Sequence, residues 1–438
     1  MKSVLNNLFQ TLSLNPPGTP FEVEFWDGTK EEYGSGNQSF RLVLKKKETI
    51  KRILGGGSLG FGEEFMKGNI LIEGNLQDFI KMLYGGTYSN LRLSLGNKLK
   101  IFLNYLFSLG TRALAKGEDE TLVSSPTISK SKKNVSYHYD LGDNFYSLWL
   151  DKTLTYSGAY FKKETDTLER AQLNKYEHIS RKLQLREGET MIDIGCGWGG
   201  MMFYAAKNYG VKSEGYTLSE NQYQYVLNKI QEENLADFIK VHLKDYREAE
   251  GEFDKFVSIG MFEHVGKKFH PIFFDVVKKL LKPEGIGLIQ TIGSPKDKPS
   301  DPWITKYIFP GGFIPALWLV LNIMSQKRLV FFDIEDLRRH YAKTLDQWIE
   351  NFEKNINEIK AIMIKEFNSR VATNGGEEPN SSSTSQEKVE EFIRMWRLYL
   401  NGSSASFKKG NNRLYQITFA NGLSNHLPLT RGYIYDRQ

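Results

Sequence analysis

Residues Ile192 to Gly200 read Ile-Asp-Ile-Gly-Cys-Gly-Trp-Gly-Gly, an apolar run that closes on a glycine-rich turn and leads into a helical pattern at Met201. Glycines at 195, 197 and 199 let the backbone leave a buried parallel strand, turn sharply and pass so close to a ligand that a Cβ would collide with it. The ligand expected over such a turn is nucleotide-like. A glycine turn that merely ends an ordinary strand is the alternative.

Spacing narrows the choice. A dinucleotide fingerprint reads G-x-G-x-x-G, whereas Gly195, Gly197, Gly199 and Gly200 give G-x-G-x-G-G with Asp193 just before the turn. That is the pattern of methyltransferases using S-adenosylmethionine. Around it strands at 190–194, 211–216, 239–243, Asp254–Ile259 and Gly285–Thr291 alternate with helices at 200–209, 219–234 and Pro271–Lys282. Such alternation implies a mostly parallel sheet with ligands at the strands' carboxyl ends, where every motif below falls. Thr217 follows the second strand, where enzymes of this fold usually place an acidic ribose ligand; Thr217 and Ser219 also suit a helix cap near residue 220.

Thr217-Leu218-Ser219 with Gln222 resembles the T-L-S-x-x-Q motif of the cyclopropane-fatty-acyl-phospholipid synthase family. Further segments are similar to that family in the same order: His138-Tyr139-Asp140-Leu141, Thr155 to Phe161, Lys244-Asp245-Tyr246-Arg247, Met261 to Gly266, Thr291-Ile292-Gly293 and His340 to Leu345. The resemblance covers residues 134–438 and, more loosely, 20–90. It implies an α/β chain: a Rossmann-like class I methyltransferase domain with a seven-stranded, mostly parallel sheet, and a smaller amino-terminal α+β domain. It implies S-adenosylmethionine as cofactor, contacted by Tyr156, Ser157, Asp193, Gly195, Gly197, Gly199, Thr217, Leu218, Gln222, Asp245 and Tyr246.

The implied reaction delivers the cofactor's methyl carbon to a cis double bond of an unsaturated phospholipid acyl chain. Such a bond is a poor nucleophile, so the methyl must be held in line with it. Transfer leaves a carbocation, which calls for a dry pocket lined by aromatic faces. Tyr137, Tyr139, Tyr156, Tyr160, Phe161, Phe262 and Tyr341 are the supply, although each alone is as readily plain core. Ring closure in the family uses a bound bicarbonate held by a Cys, a Glu, a His, a Tyr and the backbone around an Ile. Glu263, Tyr341 and Ile292 match by position, but Gly158 stands for the Cys and Gln290 for the His. Two outcomes stay open: bicarbonate binds through the Gln290 amide, or the base is lost and the cation resolves to a methyl- or methylene-branched chain. Glu263 and His264, adjacent at a strand end, point apart, and no metal is expected.

The single cysteine, Cys196, suits a reducing compartment, and the first fourteen residues do not form a secretory signal but an amphipathic helix that packs on the protein or touches a membrane. A net charge of +6 includes clusters at Lys45–Lys47 with Lys51-Arg52 and at 130–133, which suit anionic lipid or solvated faces; no nucleic-acid motif is present. Tyr307 to Gln326 is uncharged and apolar, but Pro310, Gly311, Gly312 and Pro315 leave too little to cross a bilayer. It reads as a lipid-facing flap or as a core helix. The domains expected are 1–115 (strands Phe21–Trp26, Phe40–Leu44 and Ile70–Glu73; helices Thr49–Leu54, Leu76–Leu83 and Asn97–Leu109), a linker 116–136, and a catalytic domain 137–438 containing a loop at Thr373–Gln386. Asp333 is expected to cap a helix from Ile334 that presents Tyr341. The expected enzyme is cytoplasmic, peripheral at the inner membrane face, and dimeric through its amino-terminal domain. Competing classes are a small-molecule amine methyltransferase and a non-enzymatic lipid-binding protein.

Overall fold

The computed structural model describes residues 2–14, 18–85, 141–373 and 384–435. His138 to Asp140, Tyr137, the lysine cluster at 130–133, the linker, the helix expected at Asn97–Leu109 and most of the Thr373–Gln386 loop lie outside the described residues.

The chain divides into two units. One gathers the described residues of Met1–Ser124 with Asp301–Ile308 and Glu353–Gly410; the other comprises those of Ser125–Ser300, Phe309–Phe352 and Asn411–Gln438. The first is thus assembled from three stretches of chain, where a single stretch ending near residue 115 was expected. Its sheet has the order β2-β1-β3-β4, from β1 (Phe21–Glu24), β2 (Lys30–Tyr33), β3 (Phe40–Leu44) and β4 (Ile70–Gly74). Alternating burial along β1 and β3 puts Phe21, Val23, Phe40 and Leu42 inside. The helix Lys47–Met66 extends beyond the expected Leu54, with a kink at Gly57. The later segments join by specific contacts. Trp303 Nε1 reaches Met66 Sδ at 3.3 Å, and a Cβ on Gly62 would stand 2.2 Å from the Trp303 ring, so only glycine admits it. Arg394 Nε donates to the Met66 carbonyl at 2.6 Å.

The second unit is built on a seven-stranded sheet in the order β10-β11-β9-β8-β5-β6-β7. Its strands are β5 (Thr190–Ile194), β6 (Lys212–Thr217), β7 (Ile239–Leu243), β8 (Phe253–Ile259), β9 (Leu281–Gly293), β10 (Leu329–Asp336) and β11 (Arg413–Asn421). The β5–β6, β5–β8, β6–β7 and β8–β9 pairings are parallel, and β9–β11 and β10–β11 antiparallel. This is the mostly parallel α/β sheet expected. Parallel strands are buried on both faces, which is why Met191, Ile192, Phe256, Val257, Leu288 and Ile289 are all interior.

Helix boundaries follow local chemistry. Helix Leu168–Leu183 starts where the Thr167 hydroxyl accepts from Arg170 N–H and stops at Gln184, whose φ is +52°. Helix Gly200–Tyr209 lies between Gly199 (φ +79°) and Gly210 (φ +63°). Residues 329–336 form a strand, not the helix start expected: helix Arg338–Lys354 begins after Asp336, which accepts from Arg338 N–H at 2.8 Å. Asp333 is buried instead and bonds Lys182 (3.0 Å) and Arg431 (2.7 Å). The β-branched and aromatic run Val330-Phe331-Phe332 pairs with β11, and that tertiary pairing overrides the helical reading.

Candidate active site

Residues 151–161 form an irregular, mostly buried strap outside the sheet; Tyr160 N–H donates to the Ala171 carbonyl at 3.1 Å, and most of its other polar groups need side chains to satisfy them. Three elements supply these. From helix Leu168–Leu183, Gln172 Nε2 donates to the Thr155 (3.3 Å) and Ser157 (3.0 Å) carbonyls, and Lys175 Nζ to Ser157 Oγ (2.8 Å). From helix Arg338–Lys354, Thr344 Oγ1 accepts from Ala159 N–H and His340 Nδ1 from Phe161 N–H, both at 3.0 Å. From β9, Gln290 Nε2 donates to the Gly158 carbonyl at 3.1 Å. The strap thereby holds Tyr156, Ser157 and Gly158 over the carboxyl ends of the sheet, where a Cβ on Gly260 would lie 3.5 Å from Ser157.

Glu263 lies in a short helical turn, Phe262–His264, after β8. Its buried carboxylate accepts from Thr291 Oγ1 (2.9 Å) and Ile292 N–H (3.1 Å). Burial raises its pKa above the ordinary carboxylate range, against the lowering pull of these bonds. Glu263 and Ile292 are thus brought together by a direct bond. His264 turns away against Phe309 (ring centroids 5.1 Å), and burial pulls it down to about 4, a neutral imidazole.

Gly158 and Gln290 also meet, and they close space rather than open it. A Cβ on Gly158 would come within 2.5 Å of Leu414 Cδ2 and 3.0 Å of Tyr341 Cγ. Gln290 Oε1 accepts from Gln416 Nε2 at 2.9 Å while its own amide is spent on Gly158. The Ile292 N–H belongs to Glu263. An anion here would find the Ile292 N–H and one of the two Gln290 N–H groups already engaged.

Of the aromatic residues, Tyr156 and Tyr341 share one partner, Trp348, at 5.3 and 5.9 Å between centroids. Trp149 and Tyr146 continue this wall. Tyr160 lies flat between His178 (4.1 Å) and His340 (4.8 Å), Phe161 stacks on His340, and Phe262 packs against His270 and Phe273 in the core, so these three belong to packing. Trp348 escaped the sequence reading, although it follows Tyr341 and Leu345 at helical spacing. So did Gln172 and Lys175, polar residues three apart on a buried helix face, and Gln416 and Leu414, whose places opposite Gln290 and Ile292 follow only from the β9–β11 register.

The expected cofactor residues line the ends of β5, β6 and β7. Gly195, Gly197 and Gly199 have φ of +78°, +57° and +79°, and nothing lies within 4 Å of a Cβ built on Gly197. Asp193 is buried with Oδ1 lacking a partner, and burial pushes it up to about 7. An unpaired buried oxygen costs about 1–3 kcal/mol, more when charged, so the arrangement suits a ligand bearing a cationic donor. Thr217 Oγ1 donates to Gln222 Oε1 (2.8 Å) and accepts from Ser219 N–H (3.2 Å), while Ser219 caps helix Glu220–Glu232 beside Leu218. Asp245 is clasped by Arg247 through three hydrogen bonds and caps the turn bearing Tyr246. A turn of left-handed glycines, open at Gly197 and packed on Met261 at Gly195, beside an orphan carboxylate oxygen fits S-adenosylmethionine.

Residues 127–373 match the family described as mycolic acid cyclopropane synthetase. The chain belongs to that family. Residues 4–94 match a domain of unknown function. This cyclopropane synthetase family member is 35% identical over 401 residues to the cyclopropane-fatty-acyl-phospholipid synthase of Escherichia coli K12, covering 91% of this chain and 92% of that one. It is 31% identical over 430 residues to a probable fatty acid methyltransferase of Pseudomonas putida, covering 95% and 96%. The mycolic acid cyclopropane synthase CmaA1, solved in complex with SAH and CTAB, superposes with a TM-score of 0.57 at 32% identity, over 66% of this chain and 98% of that one. The family member is a class I, S-adenosylmethionine-dependent methyltransferase.

Proposed function

We propose that this methyltransferase delivers a one-carbon unit to the cis double bond of an unsaturated phospholipid acyl chain and closes a cyclopropane ring. The observation that carries the reading is the buried Glu263 carboxylate, fixed by Thr291 and Ile292 at the end of the sheet that holds the cofactor cradle. Bound S-adenosylmethionine supplies the electrophilic methyl. The Tyr156–Trp348–Tyr341 wall excludes water and offers aromatic faces to the cation left on the acyl chain. Ring closure requires loss of a proton from the added carbon, and Glu263, held above the ordinary carboxylate range, accepts it. The names of the Escherichia coli and Pseudomonas putida relatives support an acyl substrate.

A second reading, a methyl- or methylene-branched product, is favoured by Gly158 and Gln290. Gly158 offers no side chain and commits one Gln290 N–H to its own carbonyl, so fewer donors face an anionic base.

The lipid is met at a membrane surface. Among the described residues no helix is long and apolar enough to cross a membrane. Helix Leu317–Gln326 buries Val320, Ile323 and Met324 yet leaves Trp318 57% exposed, with Ile272 of the adjacent helix His270–Leu280 at 43%. The buried face is that of a core helix, and the exposed Trp318 and Ile272 support a lipid-facing role for the other face. Phe313 N–H donates to the Glu263 carbonyl at 2.8 Å, tying the lead-in of this helix to the Glu263 turn.

Mass spectrometry of acyl chains after reaction with methyl-deuterated S-adenosylmethionine and monounsaturated phospholipid vesicles tests the proposal. Two retained deuterons with no double bond denote a ring, three a methyl branch, and two with a double bond a methylene. No lipid product would return the reading to an amine methyltransferase or a lipid-binding protein.

A further inference from the structure

Lys175 is fully buried, and among the described residues its ammonium has one hydrogen-bond acceptor, Ser157 Oγ at 2.8 Å. Among the described residues no carboxylate forms an ion pair with it. The Tyr176 ring lies 4.9 Å from Nζ. Asp151 and Asp193 act on it through space; burial pulls it down to about 7 against their attraction. Asp151 is satisfied by Thr153 and Thr155 N–H, at 2.8 and 2.9 Å. Asp193 is not, having one oxygen without a partner. Tyr176 and Cys196, the other titratable groups here, are raised by burial far above neutrality and stay protonated.

A buried ammonium is costly, and an apolar side chain of similar length would fill this space more cheaply. The strap needs a donor for Ser157, but that role alone does not require a charge. Of the two carboxylates whose charge acts on it, Asp151 is already held by Thr153 and Thr155, so the one that stands to gain is Asp193, whose own burial favours the protonated form.

We infer that Lys175 is a positioning residue of the cofactor site, which orients the Ser157 hydroxyl and holds Asp193 ionised, leaving the free oxygen to accept from the cationic end of the cofactor's amino-acid moiety. Lys175 thus acts through Ser157 and Asp193.

The test needs no lipid and is independent of the product chemistry proposed above. Lys175→Met, with folding checked by near-UV circular dichroism, is titrated with S-adenosylhomocysteine by calorimetry from pH 5.5 to 8.5. Affinity is expected to fall at least tenfold at pH 7.5, and the loss of affinity on acidification to begin at a higher pH than in the wild type. In an Asp193→Asn background the same substitution is expected to lose less affinity than in the wild type, only its hold on Ser157 remaining, and to leave the pH profile unmoved. Wild-type affinity with an unmoved pH profile would overturn the inference. Should Lys175→Met not fold, the wild type decides in buffers of different ionisation enthalpy: binding at pH 7.5 with little or no proton release supports the inference, because Asp193 is already ionised, and release approaching one proton overturns it.

Discussion

Gln290 and Gly158 are locked to each other: the Gln290 amide donates to the Gly158 carbonyl at 3.1 Å, and its oxygen is held in turn by Gln416 at 2.9 Å. The bond joins the central sheet to the strap that carries Tyr156 and Ser157. It makes Gln290 a structural fastener, a role its place among the expected anion ligands does not suggest. Gln290→Ala strands two buried polar groups at about 1–3 kcal/mol each, so the melting temperature is expected to fall by several degrees. Differential scanning calorimetry checks this; an unchanged transition would mean the lock is not formed.

Restoring the family's cysteine meets an occupied space. Gly158→Cys drives its Cβ against Leu414 and Tyr341, an overpacking worth about 1–3 kcal/mol. Adding Leu414→Ala is expected to recover most of the lost stability in chemical denaturation. If the single variant is as stable as the wild type, the strap moves more freely than this packing allows.

Glu263→Gln preserves shape, since its amide oxygen still accepts from Ile292 N–H and its nitrogen can donate to Thr291. Turnover of lipid is expected to drop by about 10²-fold or more, while the dissociation constant for S-adenosylhomocysteine stays within twofold. In the wild type the rate is expected to rise with pH through a midpoint above that of an ordinary carboxylate, because burial raises Glu263. Equal loss of binding and turnover would place Glu263 on the cofactor side.

Glu335 sets an acid limb of stability. Burial alone would raise it, but the hydrogen bond from His178 and the nearby Lys182 ammonium bring it from 4.5 down to about 2. A carboxyl depressed on folding contributes stability present above its unfolded value and lost as pH falls through the folded one. Melting temperature is therefore expected to decline from about pH 4.5 towards pH 2. Glu335→Gln is expected to be less stable at neutral pH and flatter across that window; a parallel decline would exclude the assignment.

Trp318→Ala removes a ring that is mostly exposed, so stability is expected to change by less than about 0.5 kcal/mol. Co-sedimentation with anionic phospholipid vesicles is expected to weaken several-fold. Undiminished binding would move the membrane contact away from this helix.

The sequence by itself determined the parallel strands β5 to β9, the glycine turn and the acidic and hydroxyl residues at the strand ends. Those features are local: apolar runs alternating with amphipathic helices, and glycines at 195, 197 and 199 where φ must be positive. Tertiary structure decided what is not local. Val330 to Asp333 became a strand because β11 offers it a ladder, and Asp333 turned inward to Lys182 and Arg431. Leu414 and Gln416 entered the site through an antiparallel register set by residues more than a hundred positions away. Lys175 looks in sequence like any surface lysine of an amphipathic helix; only burial beside Ser157 and Asp193 gives its charge a task, because the strength of a charge depends on the medium and neighbours that packing supplies.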